Sequence, residues 1–218
     1  SNIYTNIHYN KQDRVGMITN SQYSSASLLT IPYLYFKNMG SEGIKKASII
    51  AMLNANYLKY KLEEKYNIYS QNNNGLVGHE FIIDLNEFKK YGINDKDIAK
   101  RLIDYGFHPP TMSWPVPNSL MIEPTESESI EELDRFVDAL YGIHDEIMEV
   151  RDGKYETNNN VLVNAPHSYS DLINWTFDYS IEKACYPNES LKKNKFWPSN
   201  PRINDAYGDK NLQLKLEN

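Results

Sequence analysis

The side chains able to do chemistry are few in this chain and widely spaced. Its five histidines are His8, His79, His108, His144 and His167, and none is paired closely enough for a helical metal site. No metal site is predicted. The single cysteine, Cys185, has no histidine beside it and reads as a small buried residue rather than a nucleophile. His79-Glu80 has the composition of an acid–base pair, but neighbours on a strand point to opposite faces, which favours a structural role for both. His108, with Thr111 shortly after it, stands in a proline-rich extended stretch, where a pinned loop can present polar atoms to a pocket. The other reading of His108 is a hydrogen bond that fixes the loop. Arg101 and Arg135 fall on predicted helices and read as salt-bridge formers rather than holders of a substrate carboxylate. The acidic run from Glu123 to Glu132 could dock a cationic partner, yet its place at a helix start favours capping and the helix dipole.

The elements that must position these groups follow from periodicity and punctuation. Ser27 to Met39 reads as a buried, aromatic-rich helix with Pro32 near its start or kinking it. After Gly40, apolar residues at 44, 47, 51, 58 and 62 predict a helix from Ser41, its N-cap, to Tyr66. The turn Gln71 to Gly75 separates two strand-like segments, Asn67 to Ser70 and Val77 to Leu85, and predicts a hairpin. In the second, His79, Phe81, Ile83 and Leu85 share one face, and Glu80, Ile82 and Asp84 the other.

Asn94 as N-cap, with Ile93 and Ile98 as a hydrophobic staple, opens a further helix that Gly106 stops after Tyr105. Phe107 to Pro117, with four prolines, must be mostly extended, and a short strand around Leu120 to Ile122 follows. Ser129-Ile130-Glu131-Glu132 is a capping box opening a helix to about Val150, with Leu133, Phe136, Val137, Leu140 and Ile147 on its apolar face. The sum is an α+β fold, an antiparallel sheet covered by helices. Beyond Arg151 periodicity fades, but Trp175, Phe177, Tyr179, Tyr186, Phe196, Trp197 and Tyr207 are spaced along the tail. Such rings suit anchors of a loop-rich extension laid over the domain.

Bulk properties exclude several functions. With 218 residues, 40% of them hydrophobic, the chain can bury a substantial core. A net charge of -6 argues against a nucleic-acid partner, since that polyanion requires clustered cations. The longest apolar run, Leu28 to Phe36, is broken by Thr30 and Pro32 and falls short of the roughly 20 residues that cross a membrane. A soluble protein with no signal peptide is expected, and a lone cysteine suits a reducing compartment.

Several blocks, in a fixed order, carry a family likeness: Leu53-Asn54-Ala55-Asn56-Tyr57, Gly78-His79-Glu80-Phe81, Ala99 to His108, Pro110 to Val116, Glu123 to Ser129, Glu132 to Phe136, Asn164-Ala165-Pro166-His167 and Tyr207-Gly208-Asp209. From about residue 16 to 212 the chain resembles the decarboxylating glycine dehydrogenases, the P-proteins of the glycine cleavage system. The resemblance implies the small C-terminal domain of a fold-type I enzyme dependent on pyridoxal 5'-phosphate. In that family the cofactor forms a Schiff base with glycine, the pyridinium serves as electron sink for decarboxylation, and the aminomethyl group passes to the lipoyl arm of the H-protein.

The family's Schiff-base lysine follows a histidine ahead of a glycine-rich loop; here none of the five histidines is followed by a lysine. The resemblance places that lysine upstream of residue 1. No catalytic residue is therefore assigned here, and the chain alone is expected to be inactive. It also implies that residues 1–40 link to the cofactor-binding large domain, that 41–150 form the α+β domain and that 151–218 form the extension. The expected partners are the lipoylated H-protein and the remainder of the P-protein or its other subunit. The expected location is the cytoplasm in bacteria or the mitochondrial matrix in eukaryotes.

Two departures qualify the likeness. The family's Ser-Ala-Ala-Pro-aromatic-Gly-Ser-Ala loop corresponds here to Thr19 to Ala26, without the Pro and Gly. Ser24 and Ser25 of that loop are the candidate cofactor-pocket residues it retains, alongside His108 and Thr111. Lys210 stands where the family has an arginine, which would lose a bidentate fork. An alternative function is a non-catalytic module that docks an H-protein-like partner.

Overall fold

A computed structural model of the chain describes residues 25–212. The chain divides into two units, with the boundary between Lys46 and Ala47. A 3-10 turn at Ala26–Leu29 leads into helix α1, Thr30–Leu62, whose residues up to Lys46 belong to the first unit and the rest to the second. Pro32 lies in the first turn of α1, where its missing N–H has no intrahelical partner to lose. Gly40, at φ 63° and ψ 179°, joins the two helices that the sequence predicts on either side of it. The expected burial of the first helix is not found: Leu28, Leu29, Ile31, Tyr33, Leu34 and Phe36 are all more than half exposed. Apolar residues occupy every side of that helix, so no single covering element could bury them all.

In the second unit a four-stranded antiparallel sheet runs in the order β1-β2-β4-β3. Its strands are β1 Asn67–Ile68, β2 Phe81–Asp84, β3 Thr111–Met112 and β4 Ser119–Ile122. β1 and β2 form the predicted hairpin, shorter than its pattern suggests. Phe81 faces Ile122 and Ile83 faces Leu120 across the central pair, and all four side chains are buried. β3 was hidden in the proline-rich stretch; it pairs with β4 as an edge strand.

Helices α2, Asp95–Asp104, and α3, Ile130–Arg151, pack on one another, and α2 packs on β3 and β4. Asn94 and Asp97 close a reciprocal capping box at the start of α2, and the staple residues Ile93 and Ile98 are fully buried. At its end the Gly106 N–H donates to Ile103 and the Phe107 N–H to Leu102, with Gly106 at φ +80°. This Schellman closure sends the chain off toward His108. The same closure, through Gly153 and Lys154, ends α3. At the start of α3 only half of the predicted capping box is made. Ser129 accepts from the Glu132 N–H, but the Glu132 carboxylate turns to Arg135 instead. A charged guanidinium within reach outcompetes a backbone donor for it.

The extension beyond α3 is packed structure. It contains α4 Tyr169–Ile173, α5 Ile181–Cys185 and α6 Asp205–Lys210. Val161, Leu162, Tyr179, Ala184 and Cys185 join the core formed by Leu58 and Leu62 of α1, Leu102 of α2 and Leu140, Ile143 and Ile147 of α3. Trp175 and Phe177 meet edge to face at 5.0 Å, while Tyr186 and Trp197 form a second contact at 6.1 Å. Arg202 closes the arrangement by donating to Asp97 at 2.5 Å and to the Ala165 carbonyl at 2.8 Å.

Candidate functional site

A cleft of about 390 Å³ opens between the end of α2, the β3–β4 edge and the start of α3. Leu58, Phe107, Ile122, Leu133 and Phe136 line it with apolar surface, and Glu123, Glu128 and Glu132 stand around it. His108 and Thr111 both face it. Schellman closure at Gly106 aims the chain toward the cleft, Pro109 and Pro110 stiffen it, and pairing of Thr111 with Met121 ends the segment in the sheet. The His108 ring is exposed and has no hydrogen bond among the described residues. What fixes this loop is therefore backbone closure, not the histidine side chain.

Arg135 braces the wall. Its guanidinium lies 3.7 Å from the Phe107 ring centroid, and it donates to the Tyr105 carbonyl at 3.2 Å and through two nitrogens to Glu132. That arginine is committed on three sides, as a salt-bridge former. The hydrogen bond from Arg135 holds the Glu132 carboxyl below the usual range. Across the β3–β4 turn, Ser113 donates to Asp95, while Asn118 accepts from the Asp95 N–H at 2.9 Å, pinning the turn to α2.

Behind this cleft the end of α2 carries a dense buried charge network. Arg101, wholly buried, donates in bidentate fashion to Glu146 at 2.9 and 2.6 Å, to Asp104 at 2.9 Å and to the Lys183 and Ala184 carbonyls. Asp104 in turn accepts the His167 backbone N–H at 2.8 Å and faces His167 Nδ1 at 2.7 Å. His167 Nε2 lies 2.8 Å from the Tyr179 hydroxyl. A carboxylate can only accept, so Nδ1 carries a proton and donates to Asp104, while Nε2 shares a hydrogen bond with the Tyr179 hydroxyl. Burial alone would raise the Asp104 pKa, but the His167 hydrogen bond and the Arg101 charge outweigh it and hold the carboxyl low. Burial likewise pushes the Tyr179 hydroxyl well up, so it stays protonated and able to donate.

This is an Asp–His–Tyr relay in form only. All its atoms lie in the core, His167 and Asp104 are fully buried, and the imidazole is enclosed by Trp175, which stacks on it, and by Phe177 and Tyr179, which meet it edge to face. No reactant reaches it. Its effect is to fasten the extension to α2 and α3.

The sequence model of the family described as "Glycine dehydrogenase, C-terminal domain" matches residues 47–167, more than half of the chain. The chain belongs to the glycine dehydrogenase family. It is 51% identical over 199 residues to a glycine dehydrogenase (decarboxylating) of Proteus mirabilis, covering 90% of this chain and 21% of that protein. Mitochondrial proteins of the same description from Solanum tuberosum and Dictyostelium discoideum are 52% and 53% identical, over 94% and 87% of this chain. The chain spans about a fifth of the length of these relatives.

Within the family's domain the sequence-predicted residues separate clearly. His108 and Thr111 share the cleft, while Arg101 and Arg135 take structural posts on either side of the α2 terminus. His79 and Glu80 precede β2 rather than lying in it, and their side chains approach to 3.9 Å at the surface. The alternation argument therefore does not apply to them. Ser25 is exposed at the start of the first 3-10 turn and makes no side-chain cap; Ser24 lies outside the described residues. Cys185 is buried, which pushes its thiol up to about 11.

Reasoning from the sequence missed Asp104, Glu146, His167 and Tyr179 as one network. A signal was present: Arg101 falls on the same stripe of α2 as Ile98, Leu102 and Tyr105, so its charge had to enter the core and find partners there. No helix of the described residues is long and apolar enough to cross a membrane.

Proposed function

We propose that this chain is the C-terminal part of a pyridoxal-phosphate-dependent glycine decarboxylase that releases CO2 from glycine and passes the aminomethyl group to the lipoyl arm of an H-protein. The observation that carries this reading is identity of about half the residues with proteins named glycine dehydrogenase (decarboxylating), extending over both the cleft and the buried network. The cleft does not by itself fit pyridoxal phosphate. No lysine lines it, and Glu123, Glu128 and Glu132 would face the phosphate with like charge. The groups that anchor the cofactor therefore belong to the rest of the longer enzyme, and the chain alone forms no Schiff base with it.

What this chain contributes is a wall. Its apolar floor excludes water, the Thr111 hydroxyl can donate or accept a hydrogen bond, and the unengaged His108 ring can accept or deliver a proton at either nitrogen. The acidic rim suits an ammonium group entering the cleft rather than an anion.

The reading is tested in the complete enzyme by CO2 release from carboxyl-labelled glycine with lipoylated H-protein present. His108→Ala is expected to lower the rate per folded molecule by about 10²-fold, the range of a lost general acid or base, with the melting temperature unchanged. Activity at the parent level would remove His108 from the site. For the chain alone, borohydride treatment with pyridoxal phosphate should label no lysine stoichiometrically; labelling of one lysine would contradict the proposed division of labour.

A further inference from the structure

Between Ala47 and Leu62, α1 has two contrasting faces. One buries Ala55, Leu58 and Leu62 in the core. The other carries Ile49, Met52 and Leu53, which are 49%, 49% and 62% exposed; Met52 and Leu53 follow Ile49 by three and four residues and so share its side of the helix. One turn on, Asn56 clamps the chain at Val77, donating to its carbonyl at 2.9 Å and accepting its N–H at 3.0 Å. Leu76, next in chain to the clamped Val77, is 51% exposed. From Ala47 to Leu58 the helix has no charged side chain.

We propose that this stripe is the docking surface for the upstream part of the same polypeptide, the longer body of the glycine dehydrogenase. The proposal rests on the reading of the chain as the C-terminal part of that enzyme. Three observations choose this occupant. The relatives are about five times as long as the region matched here, and the family model describes that region as the C-terminal domain, so most of their length lies upstream. Ile49, Met52, Leu53 and Leu76 are far fewer than the roughly 20–30 residues a side, over ~800 Å² per partner, that a stable complex of separate molecules buries. A covalently linked partner does not need that area, because the linkage supplies a millimolar effective concentration. The uncharged face also gives no purchase to an acidic or basic partner, while burial against another apolar surface stabilises both.

The test is thiol labelling in the complete enzyme with peptide-resolved readout. Leu53→Cys and, separately, Met52→Cys are compared with Asn73→Cys in the exposed Gln71 to Gly75 turn. Cys185 does not compete, being buried with its thiol pushed up to about 11. Both stripe positions should label at least about fivefold more slowly than Asn73→Cys, and equally so on dilution, as protection within one molecule requires. A smaller difference overturns the proposal, and protection that disappears on dilution overturns it in favour of a second copy. Glycine decarboxylation by the unaltered enzyme, measured in parallel, reports separately on the functional reading: loss of that reading is an inactive enzyme, whatever the labelling shows.

Discussion

Arg101 and His108 lie within one short stretch of chain, yet their surroundings are opposites. Arg101 is wholly buried and its guanidinium meets two carboxylates and two carbonyls. His108 is exposed, and its ring has no hydrogen bond among the described residues. Physics enforces the first arrangement, because a buried charge without partners costs several kcal/mol. Nothing enforces the second: a polar ring in contact with water costs no stability if left unpaired. Saturated polar groups thus mark what holds the domain together, whereas the unpaired imidazole at the cleft is held in place by its backbone alone.

The largest test of this contrast removes the saturated region's outer half. Deleting the chain after Val150 takes away His167, Tyr179, Ala184, Cys185 and Leu191, all buried. Large apolar side chains contribute about 1.5–3 kcal/mol each, against a typical total of about 5–15 kcal/mol. The truncated chain should lose its cooperative thermal transition and aggregate; a monomer melting within a degree or two of the parent would show that the extension is not anchored. Next in size, Arg101→Ala leaves Glu146 and Asp104 buried without their cation and should cost about 3–5 kcal/mol in urea unfolding. A loss under 1 kcal/mol would mean that solvent reaches the network.

His167→Ala strips one donor from Asp104 and the ring partner from the Tyr179 hydroxyl, an expected loss of about 1–3 kcal/mol, with faster proteolysis of the extension. Acid provides a gentler probe. The Asp104 pKa is lower folded than unfolded, so its stabilisation is complete above the ordinary carboxylate value and disappears as pH falls through the folded one. Melting temperature should therefore drop below about pH 4, and Asp104→Asn should reduce that slope; an unchanged slope would place the acid sensitivity in Glu132, Asp145 or Glu149 instead. The smallest effect belongs to the open region. His108→Ala should change stability by no more than about 0.5 kcal/mol, and a larger change would mean that the ring has a partner in solution and that the contrast fails.

Sequence alone determined the features whose causes lie within a few residues. The Asn94 N-cap, the Ile93–Ile98 staple, the stop at Gly106, the hairpin around the Gln71 to Gly75 turn and the Ser129 cap each depend on local backbone donors and left-handed conformations. The cleft was half legible for the same reason, since His108 and Thr111 are held by prolines and a turn close by. Only the tertiary structure decided the rest. Whether β3 pairs, whether the Glu132 carboxylate caps its helix or binds Arg135, and whether His79 enters the strand depend on what lies opposite each of them. The Arg101–Glu146, Asp104–His167 and Asp97–Arg202 bonds join residues 45, 63 and 105 positions apart. No local propensity encodes such pairings, because they form only when folding brings distant segments into a common core where a charge must find its counterpart.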